Sequence, residues 1–395
     1  MDNLATIIDN GSSTIRAGFA GDEAPQLSFS TVTGRTRFPV DELDQQLYVG
    51  DDAQSKRDLL AIQHPIHRGE ITDWEAMEAI WQHTFNLLNA RPEDHPVCLT
   101  AAPLTSRYAK EKMAQIMCET FHVPALHIGN QGMLSLYAFG RTSGVIVGSG
   151  DGITFCMPVH NGQVIPEGVA RYRIAGSDLT QHLKSLLTEQ GYGFLSTEEE
   201  IARDIKEKHC YVAANFNEEM STSNLALSSI EADYAMPDGR IIPLRQERFV
   251  CPEALFQPYL LGAETSGIHK VIYNSVMQCD AALHDELFGN IVLAGGNTTL
   301  PGFTNRLQRE LTALRNETST VVSSADVKEY AWVQKAEAKA GTNPKTVRVI
   351  SPPEAKDSAW LGGALLCSVS GDEAMWLTKA EYEEGGPSVV RHKFT

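Results

Sequence analysis

No stretch of this 395-residue chain approaches the about 20 consecutive apolar residues that a membrane-spanning helix needs. No basic segment followed by an apolar run opens the sequence, so no secretory signal peptide is read. Paired cysteines are missing as well. Cys98, Cys118, Cys156, Cys210, Cys251, Cys279 and Cys367 stand singly with no CxxC, which suits a reducing compartment and a role as small buried apolar residues. Positive charge is scarce: 33 Lys and Arg face 50 Asp and Glu, a formal charge of −17. Nonspecific nucleic-acid binding needs clustered cations, so it is excluded as a function class. Neither GxxxxGK[ST] nor GxGxxG occurs, and the P-loop and Rossmann readings fall away. Asn297-Thr-Thr299 and Asn316-Glu-Thr318 fit the glycosylation pattern, but without secretion they are read as chance matches.

What is present is an ordinary globular composition, 42% hydrophobic and 21% charged, in a chain long enough for two domains with substantial cores. Thr6 to Asp22 reads as strand, tight turn, strand: apolar Ile7-Ile8, a polar turn at Asp9 to Ser13, then Ile15 and Ala17. Asn10-Gly11 is a hairpin signal, with Gly11 expected at positive φ. Backbone N–H groups in such a turn can converge on an anion, and Ser12 and Ser13 add hydroxyl donors. Asp9 could hold a hydrated Mg²⁺, a hard cation that takes carboxylate and water oxygens, and Arg16 could reach phosphates from the second strand. Alone, the stretch reads equally as a structural hairpin. Val145 to Phe155 repeats the pattern, an apolar strand, the turn Gly148-Ser-Gly-Asp-Gly152, and a returning strand. Two such hairpins from two halves of a chain suggest a duplicated domain clamping one nucleotide.

With these hairpins go Ala17-Gly-Phe-Ala-Gly-Asp-Glu-Ala-Pro25, Tyr48-Val-Gly-Asp-Asp-Ala-Gln-Ser-Lys-Arg57, Asp204-Ile-Lys-Glu-Lys208, Cys251-Pro-Glu-Ala-Leu-Phe-Gln-Pro258, Trp360-Leu-Gly-Gly363 and Gly386-Pro-Ser388. In this order, over nearly the whole length, they resemble actin and the actin-related proteins. The resemblance implies the α/β duplicated fold shared with sugar kinases and chaperone ATPases, two lobes of four subdomains around a nucleotide cleft. Subdomain 1 would take 1–30, 65–138 and 358–395, and subdomain 2 would take 31–64. Subdomain 3 would take 139–174 and 264–357, with an insertion at about 315–349, and subdomain 4 would take 175–263.

Along the chain, Asp73 to Leu88 and Thr105 to Phe121 have helical apolar spacing, and Pro96 to Thr100 is a short buried strand. A helix is expected from Gly176, ending at Gly191 as a C′ glycine. Thr197-Glu-Glu-Glu200 reads as a capping box for a helix running to about Val212. Gly267 to Cys279 is helical. Asn290 to Leu300 reads as a buried strand ending in Gly295-Gly296, followed by Pro301 and a helix through Phe303, Leu307 and Leu311, which would let a ligand approach a helix N-terminus. Three segments stand out. Gly34 to Leu47 is acidic, with Asp41, Glu42 and Asp44, where the family has a mobile intersubunit loop. Tyr259 to Glu264 matches the family's apolar plug. Arg315 to Val349 replaces a short connection; Ser323 to Asp326 is a capping box, Val327 to Ala340 is rich in helix formers, and Tyr330 and Trp332 could dock a partner.

The resemblance implies ATP or ADP with Mg²⁺ as cofactor. By match to the family, Asp9 falls at the metal position, and Gly11, Ser12, Ser13, Arg16, Gly150, Asp151 and Gly152 fall at the phosphates. Gly176, Lys206, Glu207, Gly295, Gly296, Thr299 and Lys356 fall around the nucleoside. Gln131 matches the residue that orients the attacking water. Arg16 replaces a lysine, exchanging a point donor for a planar fork. Ser13 replaces a glycine and Leu300 an aromatic residue. Gly148 stands where relatives have an aspartate beside the Mg²⁺ waters, and Phe155 where they have a histidine. Positioned acid–base groups contribute about 10²- to 10⁴-fold, so ATP turnover is expected to be slow at most. The implied function is an ATP-binding, cytoplasmic, cytoskeletal protein that self-associates into filaments. Its regulators would bind a cleft at Tyr137, Leu365, Leu366, Val369 and Met375. The alternatives are a non-polymerising actin-related scaffold and, less well matched, a sugar kinase or chaperone ATPase.

Overall fold

A computed structural model describes residues 4–37, 46–193, 199–225, 230–236, 238–321, 346–369 and 373–394. Most of the acidic loop (38–45), Thr197 of the expected capping box, and the heart of the insertion, with its capping box, Tyr330 and Trp332, lie outside the described residues. The chain divides into two units, one of residues 1–141, 150–153 and 353–395 and the other of residues 142–149 and 154–352. Both are mixed α/β.

The first unit is built on a sheet that starts with β1 (Thr6–Asn10), β2 (Thr14–Phe19) and β3 (Leu27–Ser30) in antiparallel succession. On its other side β1 runs parallel to β4 (Val97–Ala101), and β4 runs parallel to β5 (Ala125–Asn130). Leu377–Thr378 closes that edge. Strands β1 and β4 are buried at every position, as expected of parallel strands covered on both faces. One cover is α1 (Trp74–Leu88), with Asp73 capping it by accepting from the Ala76 N–H at 3.0 Å. Of its expected apolar stripe, Met77, Ile80, Trp81 and Phe85 are buried and Leu88, in the last turn, is half-buried. The helix α2 (Arg107–Gln115) is capped by Ser106, and it continues as a π-helical turn over Ile116–Thr120, a change of winding that apolar spacing alone does not reveal. Then α3 (Gln131–Ala138) packs on the Ser358–Val369 helix. A Cβ on Gly362 would lie 1.8 Å from the Leu134 carbonyl oxygen, so the Gly362-Gly363 pair permits that close crossing.

The second unit repeats the plan. Strands β6 (Gly144–Ser149) and β7 (Thr154–His160) form an antiparallel hairpin, with short partners β8 (Gln163–Val164) and β9 (Ala170–Tyr172) on β7. On its other side β6 runs parallel to β10 (Ile291–Ala294), which runs parallel to β11 (Val349–Ile350). The helix α4 (Gly176–Glu189) ends as expected, with Gly191 at φ 94°. The helix α5 (Glu199–His209) stops three residues before Val212. Helices α6 (Ile268–Met277) and α7 (Phe303–Val321) complete the main elements. Ile272, Phe303, Leu307 and Leu311 are fully buried.

The stretch set apart at 315–349 opens as helix and is not connection alone from Arg315, because α7 continues to Val321. Arg315 is buried, its guanidinium paired with Asp285 and donating to the Thr346 carbonyl at 2.9 Å, so this arginine ties the helix to the returning chain. Gly295-Gly296 does not lead straight into a helix N-terminus. A single 3-10 turn, Gly296–Thr299, intervenes before α7.

Candidate functional site

The first hairpin places its chemistry at the end of β1. Because β1 and β4 are parallel, with Ile8 opposite Leu99, the next residues, Asp9 and Thr100, come together. The Thr100 hydroxyl donates to Asp9 Oδ1 at 2.6 Å and accepts from the Asn10 N–H at 3.0 Å. Asn10 in turn donates to the Thr100 carbonyl, and its Oδ1 accepts from the Trp81 indole N–H at 3.0 Å. Asp9 is only 5% exposed. A buried carboxylate survives where donors surround it, and here Gln131 is a further one, its Nε2 lying 3.1 Å from both Asp9 Oδ1 and Thr100 Oγ1. With its amide nitrogen committed to these acceptors, Gln131 has its orientation fixed and its Oε1 left as the acceptor end. Asn130 holds the start of α3 in place by accepting from the N–H groups of Gly132 and Met133.

Arg16 comes back along β2 opposite Asp9 in the register. Its Nη1 lies 3.7 Å from Asp9 Oδ2, and its Nε donates to Asp357 at 2.5 Å. A planar fork can serve two carboxylates at once, which a lysine at this position could not do with the same geometry. Asp357 and Thr100 are the members of this cluster that sequence reading missed. Thr100 was traceable as the last polar residue of a buried strand beside β1, whereas Asp357, some 341 positions from Arg16, carried no local signal.

The turn itself differs from expectation. Gly11 is not among the residues at positive φ. What demands glycine is a close approach: a Cβ there would sit 2.3 Å from the Thr14 carbonyl oxygen. The tip residues Gly150–Ile153 of the other hairpin belong to the same unit, and a Cβ on Gly152 would lie 2.3 Å from the Ser12 hydroxyl. The structure therefore brings Gly11, Ser12 and Gly152 together with no side chain between Ser12 and the second turn. Ser13 and Asp151 are half-buried, and Lys356 is exposed one residue before Asp357.

In the second unit, Gly148 and Phe155 are direct cross-strand partners in β6 and β7. A Cβ on Gly148 would lie 2.3 Å from the tip of the Phe155 ring. The ring, 6% exposed, thus fills the volume a side chain at 148 would use, and the two residues are one packing unit. Lys206, 4% exposed, donates to the Gly176 carbonyl and the Thr180 hydroxyl, each at 2.8 Å. Its ammonium secures the first turn of α4, while Glu207 next to it is exposed. Gly295 adopts φ 86°, and the Thr299 hydroxyl turns back to the Gly296 carbonyl.

On the Ser358–Val369 helix, Leu365 and Val369 are exposed while Leu366 is half-buried. Tyr137 and Met375 are also half-buried, and burial pushes the Tyr137 phenol above its ordinary pKa. Among the described residues no cluster of three or more His, Cys, Asp or Glu could hold a metal ion, and no helix is long and apolar enough to cross a membrane.

A duplicated α/β plan, each copy opening on a hairpin with glycines at its turn, defines a class of nucleotide-binding folds rather than one activity. The actin family model matches residues 2–395, and the chain belongs to the actin family.

Proposed function

We propose that this protein binds ATP and ADP with Mg²⁺, cleaves ATP slowly at most, and assembles into filaments as a cytoplasmic cytoskeletal element. The observation that carries the reading is the buried Asp9 carboxylate, held by Thr100, Gln131 and Arg16 beside a glycine turn, in a chain of the actin family. The donor set fits the cofactor. Gly11, Ser12, Ser13, Gly150, Asp151 and Gly152 would hold phosphates at turns where missing Cβ atoms allow close approach, while the N–H groups of Gly11 and Gly150 donate to the Asp9 and Ile153 carbonyls. Asp9 would hold Mg²⁺ through waters, the ordinary habit of that ion. Gly176, Lys206, Glu207, Gly295, Gly296, Thr299 and Lys356 would serve the nucleoside. When bound, ATP supplies a phosphoanhydride and Mg²⁺ neutralises its charge.

The chain's own residues then divide the work. Gln131 presents Oε1 as an acceptor able to orient a water, because its amide nitrogen is spent on Asp9 and Thr100. Arg16 balances the carboxylates of Asp9 and Asp357. Phe155 removes a polar group and, by filling the place beside Gly148, keeps water from that wall. Binding elements are present while a proton-handling pair is replaced by carbon, and this supports retention of ATP over rapid cleavage.

Titration calorimetry with ATP, with and without Mg²⁺, tests the binding claim; no heat from folded protein in either arm would end it. Assembly is tested by electron microscopy of ATP-loaded protein across salt concentrations. With a formal charge of −17, subunits repel until salt screens them over about 8 Å at physiological ionic strength. Filaments are expected only with added salt or Mg²⁺. Monomers under every condition would favour the non-polymerising scaffold. Tyr137, Leu365, Leu366, Val369 and Met375 form the surface we assign to actin-binding regulators, and crosslinking that places every partner elsewhere would remove that assignment.

A further inference from the structure

Three polar side chains of the second unit form a buried line that hairpin pairing does not require. Asn297 Nδ2 donates to the Ser149 hydroxyl at 3.1 Å, and the Ser149 and Thr154 hydroxyls are hydrogen-bonded at 2.8 Å. Their exposures are 6%, 0% and 1%. Ser149 and Thr154 are the last cross-strand pair of β6 and β7 before the turn. Asn297 lies in the 3-10 turn that follows Gly295, and its own carbonyl accepts from the Leu300 N–H.

The first link of the line has a direction. An amide NH₂ has no acceptor capacity, so Asn297 donates to Ser149, whose Oγ, with one proton and two lone pairs, can donate to Thr154 or accept from it. Linked hydrogen bonds reinforce one another in a dry interior, where an unpaired member would be costly. The backbone groups of β6 and β7 are already satisfied by their ladder, so the line adds a tie between segments rather than completing a strand.

We propose that Asn297 is a positioning residue that fixes the base of the Ser149–Thr154 hairpin to the Gly295–Gly296 corner. A segment assigned to phosphates and a segment assigned to the nucleoside, already neighbours through the Gly148–Ala294 pair of the β6–β10 ladder, are then tied by a side chain just beyond the last backbone pair. This deepens the ATP-binding reading and rests on it. ATP, which engages both segments, binds a pair already aligned, so alignment is not a cost of binding.

The test compares Asn297→Ala, Ser149→Ala and the double variant of the full chain with the parent. Each single variant is expected to weaken ATP binding about fivefold, the worth of one ordinary hydrogen bond. The double variant should be no weaker than either single, because both remove the same tie. In the nucleotide-free proteins, hydrogen exchange should accelerate at the β6 and β7 amides next to Ser149 and Thr154. Unchanged ATP affinity in folded variants, losses that multiply, or unaltered exchange would each overturn the proposal, whatever happens to the melting temperature. Ser149→Ala removes only a hydroxyl and keeps the test decisive if Asn297→Ala does not fold. A parent protein that binds no ATP would instead sink the nucleotide reading itself, and the exchange measurement would still judge the tie.

Discussion

The two glycine hairpins have the same outline and opposite interiors. At the first, the position before the turn is a buried carboxylate with three kinds of donor around it: the hydroxyl of Thr100, the amide of Gln131 and the guanidinium of Arg16. At the second, the strand carries Gly148, and the ring of Phe155 occupies the space a side chain would take. Polar organisation there has moved to Ser149, Thr154 and Asn297. One hairpin is kept by a charged network, the other by packing and an uncharged hydrogen-bonded line. The same backbone motif can therefore keep its turn with quite different side chains on the strands behind it, since main-chain geometry shapes the turn and side chains fill its interior.

The comparison breaks hardest at Asp9. Asp9→Ala removes the acceptor that Thr100 and Gln131 share and leaves Arg16 with Asp357 alone. Arg16 keeps its closer partner, so the cost falls on the buried Thr100 and Gln131 donors that lose a charged acceptor, about 1–3 kcal/mol. The expected outcome is a loss of that order in chemical denaturation, together with loss of the Mg²⁺-dependent part of ATP binding. A variant with parental stability would show that the carboxylate network contributes nothing.

At Gly148 the expected effect on stability is similar in size, with a different signature. Gly148→Asp alone drives a carboxylate into the Phe155 ring, and overpacking costs about 1–3 kcal/mol. Phe155→His beside it makes room and supplies a hydrogen-bonding partner. The double variant should be more stable than Gly148→Asp alone and should release phosphate from ATP faster than the parent. Independent, additive effects on stability would contradict the packing unit. A folded double variant that binds ATP and releases phosphate no faster would contradict the slow-turnover reading.

How much of this could be read in the sequence depended on how local its cause was. A cap at Thr72 or Asp73 and the stripe from Met77 to Leu88 follow from residues within one helix and were legible; the structure puts the cap at Asp73. So were both hairpins, because strand, turn and strand are contiguous. The turn of Gly11 was placed correctly but explained wrongly: its constraint is the Thr14 carbonyl, three residues on, rather than its own φ. The continuation of α7 past Arg315 was missed because the residues that pin that arginine, Asp285 and Thr346, are remote in sequence. Asp357 beside Arg16 and Asn297 beside Ser149 were missed for the same reason. Family resemblance marks positions, but it does not say which of them touch, and the interlock of Gly148 with Phe155 needed the strand register.

The finest form of the comparison is between two glycines that a Cβ would crowd equally. At Gly11 the nearest atom is the Thr14 carbonyl oxygen at 2.3 Å; at Gly152 it is the Ser12 hydroxyl, also at 2.3 Å. Distance does not separate them, but whether a substitution can remove the neighbour does. A backbone carbonyl inside a turn can move only by reshaping the turn, so Gly11→Ala should cost about 1–3 kcal/mol, with weakened ATP binding in the variant that remains folded. The serine obstacle is a side chain, with its Cβ at 2.7 Å and the next backbone atom, the Gly69 nitrogen, at 3.3 Å. Rotating the hydroxyl leaves that Cβ in place, so Gly152→Ala should be strained as well, but Ser12→Gly removes both atoms and should relieve most of that strain. No second substitution at Thr14 should rescue Gly11→Ala, because every residue carries the same carbonyl. Denaturation midpoints of the two single variants, with Ser12→Gly in both backgrounds, decide the matter. Equal rescue in both, or rescue in neither, would mean that the two turns do not differ in the way their closest contacts indicate.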